Sequence, residues 1–178
     1  MRLFVAMNLT DTDFELFDVP ATFAQDAAAL DARWKALQRE AHPDRFSGQG
    51  AAAQRVAMQW SARINEAYQR LRNPLKRAAY LCELKGAPIQ AENNTAMPAS
   101  FLMQQMEWRE ALEEASTLQD VQALEGEVAG ARKQALAACG QLLDEAQDYP
   151  GAAQQVRALM FIERFRDDID DRLDQLGQ

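Results

Sequence analysis

The stretch DAAALDARWKALQREAHPD, residues 26 to 44, decides how the chain is read. Ala27, Leu30, Trp34, Leu37 and Ala41 recur at helical spacing, while Lys35 and Arg39, four apart, project from another side. This predicts an amphipathic helix from Asp26 to Ala41 with a basic outer face. It stops at His42-Pro43-Asp44, because the residue before a proline is pushed out of the helical region and Pro43 has no N–H for the preceding turn. A loop through Ser47-Gly48-Gln49-Gly50 follows. Ala53, Val56, Trp60, Ile64, Ala67 and Leu71 then form a second apolar stripe, predicting a long helix that closes near Asn73-Pro74. Two helices joined by a loop bury such stripes by pairing antiparallel, which puts His42-Pro43-Asp44 at the tip of a helical hairpin.

Toward the N-terminus, Asp13-Phe14-Glu15-Leu16-Phe17 reads as a brief helix stopped by Val19-Pro20. Met1 to Met7 is too short for the apolar region of a signal peptide and lacks its cleavage site. Toward the C-terminus, Leu75 to Lys85 predicts a fourth helix closed by Gly86-Ala87-Pro88, and Asn93-Asn94-Thr95 with Pro98 marks a linker. Three further amphipathic patterns cover roughly Ser100 to Ala115, Thr117 to Gln147 and Gly151 to Leu176, with Thr117 and Asp120 set to cap the second. The middle helix is expected to bury Val121, Leu124, Val128, Ala131, Ala135 and Leu142, and the last Ile162, Phe165, Ile169, Leu173 and Leu176. The expected organisation is a first domain over 1–88, a linker over 89–99 and a three-helix bundle over 100–178.

Composition agrees with an all-α protein: 178 residues are 48% hydrophobic, with only 8 Gly and 6 Pro gathered at the breaks. The formal charge of -8 is uneven. Residues 1–86 carry 12 basic and 10 acidic side chains, net +2, whereas residues 87–178 carry 7 and 17, net -10. The two halves are therefore expected to meet different partners, and the acidic balance argues against a nucleic-acid binder, which needs a basic face to release counterions from phosphate. No run approaches the ~18 apolar residues that span a bilayer. Cys82 and Cys139 stand far apart, outside any C-x-x-C pair, so they read as buried thiols in a reducing compartment, taken to be the cytoplasm.

Catalytic and metal chemistry find little support. His42 is the sole histidine, so a histidine-rich metal centre and a Glu-x-x-His di-iron bundle are excluded, and two isolated cysteines do not complete a tetrahedral zinc site. There is no G-x-S-x-G elbow and no Gly-rich phosphate loop, and His42 and Asp44, one proline apart in a loop, lack the geometry of a base with its orienter. The expectation is no enzyme, no cofactor and no metal.

The His-Pro-Asp loop between two helices, the basic helix before it, the long helix after it and Asn73-Pro74-Leu75-Lys76-Arg77-Ala78-Ala79-Tyr80 closing the unit together resemble a J-domain. The resemblance implies that His42, Pro43 and Asp44, and more loosely Lys35, Arg39 and Arg45, contact a DnaK-type chaperone and promote hydrolysis of its ATP. The Gly/Phe-rich tract and C-x-x-C repeats of general DnaJ proteins are absent, and an acidic bundle follows instead.

That bundle opens with Phe101-Leu102-Met103-Gln104-Gln105-Met106-Glu107-Trp108-Arg109-Glu110-Ala111-Leu112-Glu113-Glu114. At about 100° per residue, Phe101, Trp108, Leu112 and Ala115 share a core-facing side, while Leu102, Met103 and Met106 fall on the other among Glu107, Glu110, Glu113 and Glu114. Two arrangements satisfy this pattern: an oily docking patch rimmed by carboxylates, or a helix covered on both sides.

The whole arrangement from about Asp13 onward is similar to HscB, the J-domain co-chaperone of iron-sulfur cluster assembly. The resemblance implies an HscA-type partner and binding of the scaffold protein IscU by Leu102, Met103, Met106, Glu107, Glu110 and Glu114. Phe161, which falls off the last helix's apolar stripe, would be a further contact. Met106 stands where the family commonly has leucine, and the first ten or so residues extend beyond the usual start, so that Met7 is a candidate beginning. A J-protein serving another client, or a helical interaction protein outside the chaperone system, are the competing readings.

Overall fold

The computed structural model describes residues 7–177, so the opening stretch up to Ala6 lies outside them. Every regular element among the described residues is helical: α1 Asp13–Phe17, α2 Ala27–Ala41, a 3₁₀ turn Pro43–Phe46, α3 Ala51–Arg72, α4 Pro74–Leu84, α5 Ala99–Glu114, α6 Leu118–Gly140 running into a π-helical turn Gln141–Glu145, and α7 Tyr149–Leu176. No helix among them is long and apolar enough to cross a membrane. The chain forms two compact units, Met1–Arg77 and Ala78–Gln178.

In the first unit, Asp26 caps α2 by accepting from the Ala28 and Ala29 N–H groups, two donors the helix leaves without internal partners. Asp31 meets Tyr68, Trp34 meets Asn65, and Gln38 meets Ser61 and Asn65. One index rises as the other falls, which is the antiparallel hairpin. Leu30, Leu37 and Ala41 pack within it against Trp60, Ile64, Ala67, Tyr68 and Leu71. Ala27, placed on the first stripe by spacing, is exposed, and Val56 is 53% exposed while its neighbour Ala57 is buried. The α3 stripe thus runs through Ala57, one position over from where spacing put it. α1 ends at Asp18, whose φ of 53° breaks the helix before Pro20 is reached.

The second unit is a three-helix bundle. Phe101 meets Phe161, Trp108 meets Phe165, and the Ala115 carbonyl accepts from Arg172, so α5 and α7 run parallel while α6 returns between them. Thr117 and Asp120 form the expected capping box. Two departures from the expected pattern have local causes. Ala146 N–H reaches the Gln141 carbonyl at 2.9 Å, and this wider turn accompanies burial of Leu143 where simple spacing chose Leu142. α7 begins at Tyr149, ahead of the expected Gly151, because Pro150 fits the first turn, where its missing N–H has no bond to lose, behind the Asp148 cap.

The units divide between Arg77 and Ala78, inside α4, whereas the sequence reading placed the change over 89–99. Arg77 donates to the Phe23 and Leu71 carbonyls and so ties the first turn of α4 to the first unit. The segment read as a linker is held within the second unit. Buried Arg157 donates to the carbonyls of Ile89 at 2.9 Å, Ala96 at 3.0 Å and Pro88 at 3.5 Å. Polar backbone there is satisfied by a buried guanidinium, which asparagines and a proline in the sequence do not announce.

Candidate functional site

Two surfaces carry the residues singled out by sequence, one on each unit. At the end of the hairpin, His42 closes α2 and opens the 3₁₀ turn, with Pro43 at the first helical position. Asp44 N–H points at His42 Nδ1 at 3.3 Å, and Arg45 N–H donates to the His42 carbonyl at 3.0 Å. In the neutral ring Nδ1 is thereby the acceptor, which leaves the proton on Nε2. The Asp44 carboxylate is 3.6 Å from the same nitrogen, too long for a hydrogen bond. The backbone contact therefore fixes the imidazole, and the carboxylate stays available.

Both side chains face water, His42 at 56% and Asp44 at 91% exposure. Lys35 and Arg39 are exposed on α2, about two turns and one turn before His42, and the Arg39 side chain folds back to the Lys35 carbonyl at 3.3 Å. Arg45 donates to the Arg39 carbonyl at 2.9 Å, satisfying one of the orphan carbonyls at the end of α2. Hydrogen bonds thus tie Arg39, His42, Asp44 and Arg45 together at this turn, with Arg45 partly engaged in capping, while Lys35 lies further back on α2.

On the second unit, Leu102, Met103 and Met106 stand 47%, 67% and 73% exposed along α5. Glu107, Glu110, Glu113 and Glu114 are exposed beside them. Within the second unit this side of α5 is uncovered. The opposite side of α5 is held by Trp108, buried against the Phe101 edge and the Phe165 face.

Phe161 departs from its expected place. It is only 8% exposed, stacked on Phe165 at 5.7 Å, edge-on to Phe101 at 5.8 Å, and capped by the Arg109 guanidinium 5.3 Å from its ring centre. The ring belongs to the aromatic packing between α5 and α7, because α7 buries a side far wider than one stripe; Arg157, Ala158, Leu159 and Ile162 are buried as well. Two participants were not legible in sequence: Arg109, and Glu127 of α6, which accepts the Trp108 indole N–H at 2.9 Å. Both contacts are tertiary and leave no periodic signal.

Cys82 and Cys139 are buried free thiols, and burial pushes them up to about 11 and about 12. Among the described residues no group of three or more His, Cys, Asp or Glu side chains is arranged to hold a metal ion.

Comparison with known proteins adds kinship to this geometry. The family model for the HSCB C-terminal oligomerisation domain matches residues 97–170. A co-chaperone protein HscB homolog of Burkholderia thailandensis is 51% identical over 173 residues, 96% of this chain and 98% of that one. This chain belongs to the HscB co-chaperone family. The HscB of Vibrio cholerae superposes with a TM-score of 0.78 at 34% identity, over 93% of this chain and 99% of its own. Human co-chaperone HscB does so with a TM-score of 0.87 at 28% identity, over 97% and 86%. The fold is accordingly the HscB one, with an N-terminal J-domain carrying the His-Pro-Asp turn and a C-terminal helical domain carrying the α5 face.

Proposed function

We propose that this HscB-family chain stimulates the ATPase of a DnaK/HscA-type chaperone through His42, Pro43 and Asp44, and delivers the iron-sulfur scaffold protein IscU to it through α5. The observation that carries the reading is the exposed oily patch of Leu102, Met103 and Met106, followed along α5 by the exposed Glu107, Glu110, Glu113 and Glu114, on a domain separate from the exposed His-Pro-Asp turn. Each of the three apolar side chains gains roughly 1.5 to 3 kcal/mol when fully buried, so a partner covering them has enough to bind, and methionine adapts to its shape. Glu107, Glu110 and Glu114 orient that partner and reject an acidic one. Lys35 and Arg39 steer the turn toward an acidic chaperone surface. With Phe161 packed under Arg109, its part is to support the patch.

The chain acts as a non-catalytic adaptor in the cytoplasm, with no cofactor of its own. Its effect comes from holding two partners on one chain, which raises the concentration of client at the chaperone. The test is two variants read by two assays. His42→Gln is expected to abolish stimulation of single-turnover ATP hydrolysis while scaffold affinity by calorimetry stays unchanged. Leu102→Ala with Met106→Ala is expected to do the reverse, weakening the scaffold at least tenfold. Equal stimulation by His42→Gln rejects the chaperone half of the reading, and unchanged affinity in the α5 variant means a different client.

A further inference from the structure

We infer that Glu127 of α6 is a positioning residue for the client face of α5, an inference that rests on reading that face as the scaffold site. The Glu127 carboxylate takes two donors from α5 on one oxygen, the Trp108 indole N–H at 2.9 Å and the Gln104 amide at 3.2 Å. Gln104 and Trp108 are one helical turn apart, so a single carboxylate grips two successive turns and fixes the rotation of α5 about its own axis. Rotation is what decides whether Leu102, Met103 and Met106 point outward as a set.

Packing constrains that rotation through the aromatic contacts of Phe101 and Trp108 with α7, and does so less on the side of α6. Trp108 is the one buried residue within α5, and its neighbours Phe101 and Leu112 are half-buried. Beside Gln104 lies an opening of about 290 Å³ between the N-terminal half of α5, α6 and α7, floored by the small side chains of Ala131, Ala135, Ala138 and Ala158. No large apolar side chain of α6 fills this side to resist a roll of the helix. The hydrogen bonds supply what the missing volume does not: a charged acceptor with two directional partners. The indole N–H, buried with its ring, has Glu127 as its partner, so removing the carboxylate favours a rolled α5 in which that N–H finds water.

The experiment uses the full chain with four variants: Glu127→Ala, Glu127→Gln, Gln104→Ala and Leu102→Ala. Scaffold affinity is measured at 10 °C, where circular dichroism verifies that each is folded, and chaperone stimulation is measured without scaffold. Glu127→Ala is expected to weaken scaffold binding on the order of tenfold, as follows from loss of the two hydrogen bonds that its carboxylate accepts from α5. Gln104→Ala is expected to weaken it less, and Glu127→Gln, which keeps an acceptor oxygen without the charge, to fall between the parent and Glu127→Ala. Scaffold-free stimulation stays level throughout. The Trp108 indole N–H resonance, assigned against Trp108→Phe, is expected to move in Glu127→Ala and hold in Glu127→Gln. Affinity unchanged in Glu127→Ala while Leu102→Ala weakens overturns the positioning role and leaves the scaffold site standing. Equal loss in Glu127→Gln and Glu127→Ala overturns it too, because the charge and not the acceptor would then matter. If neither Leu102→Ala nor Glu127→Ala weakens binding, the scaffold site itself is misplaced and the positioning role falls with it.

Discussion

Asp13 has no solvent exposure, and its two carboxylate oxygens lie 2.7 Å from Arg63 and 3.2 Å from Arg70. Arg63 also donates to the Asp11 carbonyl at 2.8 Å, so a single acid and two guanidiniums clamp α1 and the turn before it onto α3. Removing one member of such a pair leaves the rest of the charge inside the protein without its counter-ion, which costs about 3 to 5 kcal/mol. Both arginines keep some contact with water, so the lower end applies: Asp13→Ala is expected to lower the unfolding free energy by about 3 kcal/mol in urea titration. The exposed partner of the Glu163 pair gives the contrast, Arg166→Ala costing about 0.5 kcal/mol or less. A loss under 1 kcal/mol at Asp13 would mean that the pair merely offsets its own desolvation.

Among the helices, α3 separates what periodicity can tell from what it cannot. Ile64 has no exposure and Val56 has 53%, although sequence spacing put both on one stripe. Ile64→Ala is expected to cost about 2 to 5 kcal/mol through lost burial and a cavity, and Val56→Ala to stay within about 0.5 kcal/mol, both read from urea midpoints at equal slope. The existence of α2 and α3, the turn at His42-Pro43-Asp44 and the oily face of α5 were legible because each follows from local chemistry: a proline stop, a 3.6-residue period, methionines set among glutamates. The one-position offset at Val56, the swap of Leu142 for Leu143 and the burial of Phe161 were not. They depend on where a neighbouring helix lies, on a widened turn and on α7 being enclosed on more than one side, none of which a stripe of apolar residues encodes. That α7 starts at Tyr149 and not at Gly151 has a simpler reason, since a proline marks the first turn of a helix as readily as a break.

At the scale of the whole molecule, the charge asymmetry and the two compact units carry one consequence that neither surface has alone. On the function proposed above, the turn and the α5 face are useful together because a tether turns the second encounter into an intramolecular one. Separate copies in solution have no such advantage. Mixing His42→Gln protein, sound at α5, with protein changed to alanine at Leu102 and Met106, sound at the turn, is therefore expected to leave ATPase stimulation in the presence of scaffold no higher than the level the α5 variant gives without scaffold at micromolar concentrations. An equal amount of unaltered protein restores it in full. Recovery by the mixture to half the unaltered rate or more would show that turn and client face act from different copies of the chain. The functional unit would then be an assembly of copies, and the covalent link between the two domains would not be the source of the coupling.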